Sequence, residues 1–327
     1  MRAKKSLLLL LFCAFCFSAL GLSRLEAADA SKFPEKNIIM TYYTKPGSGG
    51  DTFMRNLAVA LSKELNGHNL VVENIVDPSG ATSWGKVQRS KADGYRLAFL
   101  SSTIVTADII GGSPVKYGDF DYICGMGMDP QYIFCKTDAP FNSLPELIDY
   151  CRKNPGKINW GTAAPTSAST ICSVLVINKA KIDVNRVIYQ TGGDTFVAML
   201  GGFVDIGVGE YIDMRSQVEA GKVKLLCVLA KERTSLKDIP TAREGGFDIV
   251  FDRPRGFAAP KGTDPAIIAR IAEIFKKAYD SPAFMTYLQQ EAIDPVFQSG
   301  EEFLMSYRKI ADIIEENKGD IVGTQKK

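Results

Sequence analysis

Apolar and polar positions along this chain follow a repeating strand-then-helix rhythm. After a turn at Phe33-Pro34-Glu35-Lys36, residues 38–42 are mostly apolar and read as a buried strand, and a glycine-rich turn, Pro46-Gly47-Ser48-Gly49-Gly50, follows it. Asp51 then reads as the cap of a helix whose Phe53, Leu57, Ala60 and Leu61 recur at the spacing of one apolar face. A strand over residues 70–73 closes this β-α-β unit. A helix over 83–90, the turn Ala92-Asp93-Gly94-Tyr95 and a strand over 96–100 make a second.

The rhythm restarts in the middle of the chain. Ser143-Leu144-Pro145-Glu146 is a capping box that opens a helix through Cys151, Pro155-Gly156 ends it, and 158–162 is the next strand. A helix over 167–180, a strand over 187–189, a helix after Gly193 and strands over 204–208 and 224–229 complete the series. Strands separated by helices predict parallel pairing, because a crossover long enough to return the chain in the same direction is usually a helix. The C-terminal part reads as helical: Asp264-Pro265 is a cap followed by a first-turn proline, and Ser299-Gly300-Glu301-Glu302 opens the last helix. These helices have no sheet of their own and pack most simply on the first set of strands, so the chain is expected to cross twice between two lobes.

The N-terminus changes the picture of the first 30 residues. Met1-Arg2-Ala3-Lys4-Lys5, an apolar run over 7–22 and the small residues Ala27, Ala28 and Ala30 have the pattern of a cleavable secretory signal. The run is shorter than the ~20 apolar residues that span a bilayer. Phe12 and Phe15 precede Cys13 and Cys16, where lipid attachment requires a small residue. Cleavage after Ala30 leaves about 300 residues, enough for two lobes, and brings the formal charge of +2 to near zero. No basic tract remains to attract nucleic acid or an anionic membrane. Cys124, Cys135, Cys151, Cys172 and Cys227 contain no CxxC pair and are spaced too widely for a zinc site. They read as buried small hydrophobes with at most one bridge.

Parallel strands place ligand sites at their carboxyl ends, where loops lead into helix N-termini. Three such loops are rich in glycine and hydroxyls: residues 46–51, residues 162–169 with Thr162, Ala163 and Ser167, and Gln190-Thr191-Gly192-Gly193-Asp194. Glycine lets backbone N–H groups approach a ligand and the helix dipole leaves them partly positive, so each loop favours an anion such as a carboxylate. Taken singly, each is more often just a tight turn, and Ser167 reads also as a plain helix cap, but three such loops together favour a site. The first loop lacks the Gly-Lys-Ser/Thr ending of a P-loop and the spacing of a dinucleotide fingerprint. Arg253 and Arg255 fall where the chain returns to the first lobe; they read either as a fork for a second carboxylate or as a solvated pair. Tyr42, Tyr43 and Trp84 read as pocket wall or as core.

Catalytic parts are scarce. His68 is the only histidine and sits in the polar turn Asn66-Gly67-His68-Asn69, so a catalytic triad would depend on one surface residue and a multi-histidine zinc site is excluded. No G-x-S-x-G elbow occurs. No metal or cofactor is expected.

The chain resembles the substrate-binding proteins of tripartite tricarboxylate transporters, the TctC or Bug family, from Phe33 to the last helix. The landmarks are Pro46-Gly47-Ser48-Gly49-Gly50-Asp51, Val72-Glu73-Asn74, Ala92-Asp93-Gly94-Tyr95, Asn154-Pro155-Gly156-Lys157, Leu200-Gly201-Gly202-Phe203-Val204-Asp205, Glu219-Ala220-Gly221-Lys222, Asp238-Ile239-Pro240-Thr241 and Ala259-Pro260-Lys261-Gly262-Thr263. The resemblance implies a two-lobed α/β fold of the periplasmic-binding-protein (Venus-flytrap) type, each lobe a largely parallel sheet flanked by helices. The expected division is a signal over 1–30, one lobe from 31–130 plus 253–327, and the other from 131–252.

Carried over by position, the ligand-binding residues are Gly47, Ser48, Gly49, Gly50 and Asp51, Ser83 in the loop 80–83, Thr162, Ala163 and Ser167, and Thr191, Gly192 and Gly193. Tyr43 and Thr44 replace the family's Pro-Phe before the first loop. Ala164, Pro165 and Thr170 replace its serine, glycines and histidine in the 162–170 segment. Gly209, followed by Glu210, stands where the family often has an aspartate that contacts ligand. The resemblance implies a periplasmic, non-catalytic monomer that closes over a small carboxylate and delivers it to a large and a small integral membrane subunit. A secreted hydrolase using His68, and a sensor subunit presenting ligand to a membrane kinase, are the other readings.

Overall fold

The computed structural model describes residues 30–77 and 79–323. The expected signal, with Cys13 and Cys16, lies outside the described residues apart from Ala30, which begins a short 3-10 turn, Ala30–Lys32. The chain from Pro34 onward is one compact unit, and the description that follows concerns that unit.

Its strands form two sheets. The first has six strands in the order β11-β4-β10-β3-β1-β2, and the second has five in the order β7-β6-β8-β5-β9. Here β1 is Ile38–Tyr42, β2 Leu70–Asn74, β3 Arg96–Leu100, β4 Phe120–Met128, β5 Tyr132–Lys136, β6 Asn159–Thr162, β7 Asn185–Ile188, β8 Ile206–Gly209, β9 Val223–Val228, β10 Pro254–Pro260 and β11 Asp294–Ser299. The chain thus leaves the first sheet after β4, builds the whole second sheet, and returns with β10, so the two expected crossings are present. The fold is a two-lobed α/β fold, as the sequence predicts.

The sheets are mixed rather than largely parallel. β1 pairs with β2 and β3 in parallel, and β6 pairs with β7 and β8 in parallel, as β-α-β units require. The strands that carry the chain between sheets run the other way: β10 is antiparallel to β3 and β4, and β5 is antiparallel to β8 and β9. The C-terminal segment is not purely helical either, because β11 adds to the edge of the first sheet beside β4.

Local sequence explains the helices around the site. Ser48, not Asp51, is the N-cap of the helix Gly49–Leu61, and Phe53, Met54, Leu57 and Leu61 form its buried face. The helices Leu144–Lys153 and Gly300–Val322 open on Ser143 and Ser299 caps, and Asp264 with Pro265 opens Pro265–Tyr279, each as predicted. The last helix reaches across to the second lobe, where Arg186 donates to the Asp320 carbonyl at 2.7 Å and Asn178 to the Asp320 carboxylate at 2.9 Å. Cys124, Cys135, Cys151, Cys172 and Cys227 are all free and buried, so no bridge forms among them. No described helix is long and apolar enough to cross a membrane.

Candidate functional site

Residues just past the carboxyl ends of β1, β2, β3, β6, β7 and β8 converge on a cleft of about 760 Å³ between the lobes. This is where elementary α/β geometry places a ligand. Both crossings contribute to it, through Gln131 and Arg253.

Two helix N-termini of the second lobe open onto the cleft. Ser167 caps Ala168–Ala180, and its hydroxyl accepts from the Ser169 N–H at 3.2 Å. Thr191 caps Gly192–Leu200 in a reciprocal capping box with Asp194. Ser167, Thr191 and Gly192 all line the cleft. The first-turn N–H groups of such helices lack partners inside the helix and carry the positive end of its dipole. Gly192 has open space where a Cβ would stand, so ligand can approach this backbone closely. Gly193 lies beside it without lining the cleft. Thr162 ends β6 just below, fully buried, with its Oγ1 lacking any hydrogen-bond partner. Ala163 is buried, and both its N–H and its carbonyl are satisfied by the Thr170 hydroxyl.

The first lobe offers a different arrangement. Tyr43 lines the cleft, donates to Thr103 Oγ1 at 2.9 Å and packs its ring 5.3 Å from that of Trp84, which is itself fully buried core, and Tyr42 is buried behind them. The loop from Thr44 to Asp51 turns its polarity inward. Gly47 donates to Asp51, whose buried carboxylate also accepts from Arg55 at 2.9 and 3.0 Å and from Asn74 at 2.9 Å. Thr44 and Ser48 share a hydrogen bond, and Gly50 lies against the Tyr42 ring with no room for a Cβ. Gly49 faces Ile212 of the second lobe, at 3.7 Å from a notional Cβ. Ser83 is buried in the first turn of Ala81–Gln88, with its hydroxyl unpartnered. Of this lobe's expected ligand residues, Tyr43 alone is among the cleft lining, and Ser79, Ala81, Thr103 and Ala107 join it.

The floor of the cleft is charged. Arg255 turns away from it and forks onto Asp129, and both side chains are buried. Arg253 lines the cleft and pairs with Glu210, the residue that precedes the helix Tyr211–Glu219. Burial alone would raise the Glu210 carboxyl, but the Arg253 and Arg255 guanidiniums hold it below its usual value. One turn further on, Asp213 lines the cleft and its carboxylate makes no hydrogen bond or ion pair among the described residues. It is open to cleft water yet enclosed by protein, and this enclosure, with the charge of Glu210, pushes its carboxyl up to about 6.

Gln131, Asp213 and the segment 111–114 escape sequence reasoning, because no motif marks them: Gln131 lies on the crossing from β4 to β5, Asp213 in the first turn of Tyr211–Glu219, and 111–114 just past the helix Thr103–Ile109. His68 is absent from the cleft lining.

The profile of the tripartite tricarboxylate transporter family receptor, TctC, matches residues 53–322. The UPF0065 protein in the gbd 5' region of Cupriavidus necator is 30% identical over 291 residues, 88% of each chain. Among solved structures, Rpa4515 of R. palustris with adipate superposes with a TM-score of 0.75 at 19% identity, covering 86% of this chain and 97% of that one. MatC of Rhodopseudomonas palustris with bound malate superposes with a TM-score of 0.67 at 21% identity, covering 89% of this chain and 100% of MatC. The match to most of the chain, on a fold whose two lobes meet in a loop-lined cleft, makes this protein a member of the TctC family of tripartite tricarboxylate transporter receptors.

Proposed function

We propose that this protein is a periplasmic receptor that captures a small carboxylate by closing its two lobes, 31–130 with 253–327 and 131–252, and presents it to the large and small membrane subunits of a secondary transporter. The observation that carries this reading is the pair of helix N-termini, capped by Ser167 and Thr191, that open onto one cleft. Backbone N–H groups there supply positive potential, which suits a carboxylate. The relatives bound to malate and adipate support the same ligand class. A binding role rather than catalysis is supported by the solute-binding character of the family, and the lone histidine away from the cleft offers no general base for the hydrolase reading.

A thermal-shift screen of the chain from Ser31 onward against mono-, di- and tricarboxylates tests the proposal. A ligand at a hundredfold excess over its Kd adds about 2.7 kcal/mol to native stability, a clear rise in melting temperature. Thr162→Val deepens the test: it removes a buried hydroxyl that has no partner in the free protein, so it leaves stability unchanged or raises it while weakening ligand binding. Ser167→Ala is expected to weaken binding as well. A screen in which no carboxylate raises the melting temperature overturns the reading, and full affinity in both variants removes these residues from the site.

A further inference from the structure

We propose that the cleft selects a monocarboxylate with a bulky uncharged body: the carboxylate sits on the helix N-termini of the second lobe, and the body lies against the first lobe, where Asp77 already fills the place of a second anion. This rests on the reading of the cleft as the ligand site and narrows the ligand class.

The two walls of the cleft differ in what they can donate. On the second lobe Ala168 and Gly192 open their helices and line the cleft, and their N–H groups have no hydrogen-bond partner among the described residues. On the first lobe the helix Ala81–Gln88 also begins at the cleft, where Ser79 and Ala81 line it, but its donors are spent. Asp77 accepts there from the Ser79 N–H at 2.9 Å, the Ser79 hydroxyl at 2.8 Å and the Thr82 N–H at 2.8 Å, and Ser79 Oγ accepts in turn from the Ala81 N–H at 3.3 Å. Burial works to raise the Asp77 carboxyl, yet these bonds hold it at about 2, so it stays an anion. The protein's own carboxylate thus occupies the anion site of this helix. Other hydroxyls of the same wall are engaged as well: Tyr43 donates to Thr103, and Ser113 to the Val115 carbonyl at 2.9 Å.

Charge points the same way. Among the described lining residues Arg253 is the only cation, and Glu210 and Asp129 hold its guanidinium. Glu210 and Asp213 set two anions against it, so a second ligand carboxylate meets repulsion and no free cation.

Space accounts for the body. A cleft of about 760 Å³ lies within the range of roughly 300–1,000 Å³ that encloses drug-sized ligands, well beyond what an acid of a few carbons fills. This is not the volume of parted lobes, because they already touch where the Thr106 hydroxyl meets the Thr166 carbonyl at 2.8 Å. The room comes from short side chains: most lining residues are Gly, Ala, Ser or Thr. Tyr43, Ala81, Ala107 and Pro114 give the first lobe's wall an apolar surface, against which hydrocarbon is drawn from water.

Calorimetric titration tests this with butyrate, octanoate and 3-phenylpropionate for size, and with octanedioate beside octanoate for charge. Affinity is expected to rise about tenfold or more from butyrate to octanoate or 3-phenylpropionate, and octanoate is expected to bind about tenfold or more tightly than octanedioate. Asp77→Ala frees the N-terminus of Ala81–Gln88 and is expected to raise octanedioate affinity severalfold relative to octanoate. Ala81→Leu narrows the cleft at a partly exposed position and is expected to lower octanoate affinity about tenfold and butyrate affinity far less; it serves if Asp77→Ala fails to fold, which melting curves of the free variants reveal. Octanedioate binding as tightly as octanoate, or butyrate as tightly as octanoate, overturns this inference and leaves carboxylate capture standing, whereas no binding of any acid overturns both. A folded Asp77→Ala protein that gains no diacid affinity, or equal losses for both acids in Ala81→Leu, overturns it as well.

Discussion

Arg255 and Asp129 stand 126 residues apart in sequence and face to face in the fold, where the two crossings between the lobes pass each other. Both side chains are about 95% buried, and the guanidinium of Arg255 also lies 4.9 Å above the Phe53 ring. The pair thus pins the returning strand β10 to the end of β4 at the base of the cleft, behind the Arg253 and Glu210 pair that lines it.

Removing one partner leaves the buried cluster of Arg253, Arg255, Asp129 and Glu210 with a net charge, so Arg255→Met alone is expected to cost about 3–5 kcal/mol, and Asp129→Leu a similar amount. The double substitution should lose much less than the sum, because two apolar side chains leave no orphan charge. Urea denaturation of the four proteins in a double-mutant cycle measures this. Additive losses would show that the two side chains do not act on each other.

The loop before the helix Ala81–Gln88 depends on Gly80 for two independent reasons. Its φ of +74° lies in the left-handed region, and a Cβ there would sit 2.4 Å from the fully buried Trp84 ring. Gly80→Ala is expected to destabilise by about 2–4 kcal/mol, combining backbone strain with overpacking. Gly47 has a φ of +82° but open space around its Cβ position, so Gly47→Ala should cost only about 1 kcal/mol, the backbone share alone. Melting curves of the two variants separate strain from packing, and equal losses would rule out the Trp84 contact as a cause.

The same contrast between local and long-range causes decides how much of the fold was legible in the sequence. The β-α-β units and the caps at Ser143, Asp264 and Ser299 were readable because each is written in neighbouring residues, and the two crossings because the C-terminal part had to pack on the first set of strands. The strand β4 was not: Phe-Asp-Tyr-Ile-Cys-Gly-Met-Gly-Met is buried on both faces along most of its length, so it shows no alternation, and its glycines suggest a loop. Those glycines serve close packing instead, since a Cβ on Gly125 would meet the Gln298 side chain at 2.8 Å. The strand β10 opens with a proline and is buried at every position, which hides it equally. In the site, Ser167, Thr191 and Gly192 were readable as helix starts. Gln131 and the distinct fates of Arg253 and Arg255 were not, because they depend on which way each crossing turns its side chains, and Asp213 was not, because no motif marks its place in the first turn of Tyr211–Glu219.

Across the mouth of the cleft the lobes meet through Thr106, whose buried hydroxyl lies 2.8 Å from the Thr166 carbonyl. Thr106 belongs to the helix Thr103–Ile109 that follows β3, and Thr166 to the loop that leads into the Ser167 cap, so this bond ties a cleft-lining loop of one lobe to the other. The hydroxyl also lies 2.9 Å from the Thr103 carbonyl of its own helix, so it keeps a partner when the lobes part. Opening therefore forfeits the net value of one hydrogen bond, about 1 kcal/mol, rather than the larger penalty of an orphaned group. Thr106→Val keeps the shape, removes the hydroxyl, and should shift the balance between closed and open forms by roughly fivefold toward open. Calorimetric titration should show ligand affinity falling by about that factor, with faster ligand release. Solution scattering of the free protein should show a larger radius of gyration than wild type. Unchanged affinity and unchanged scattering would mean that the contact does not hold the lobes together.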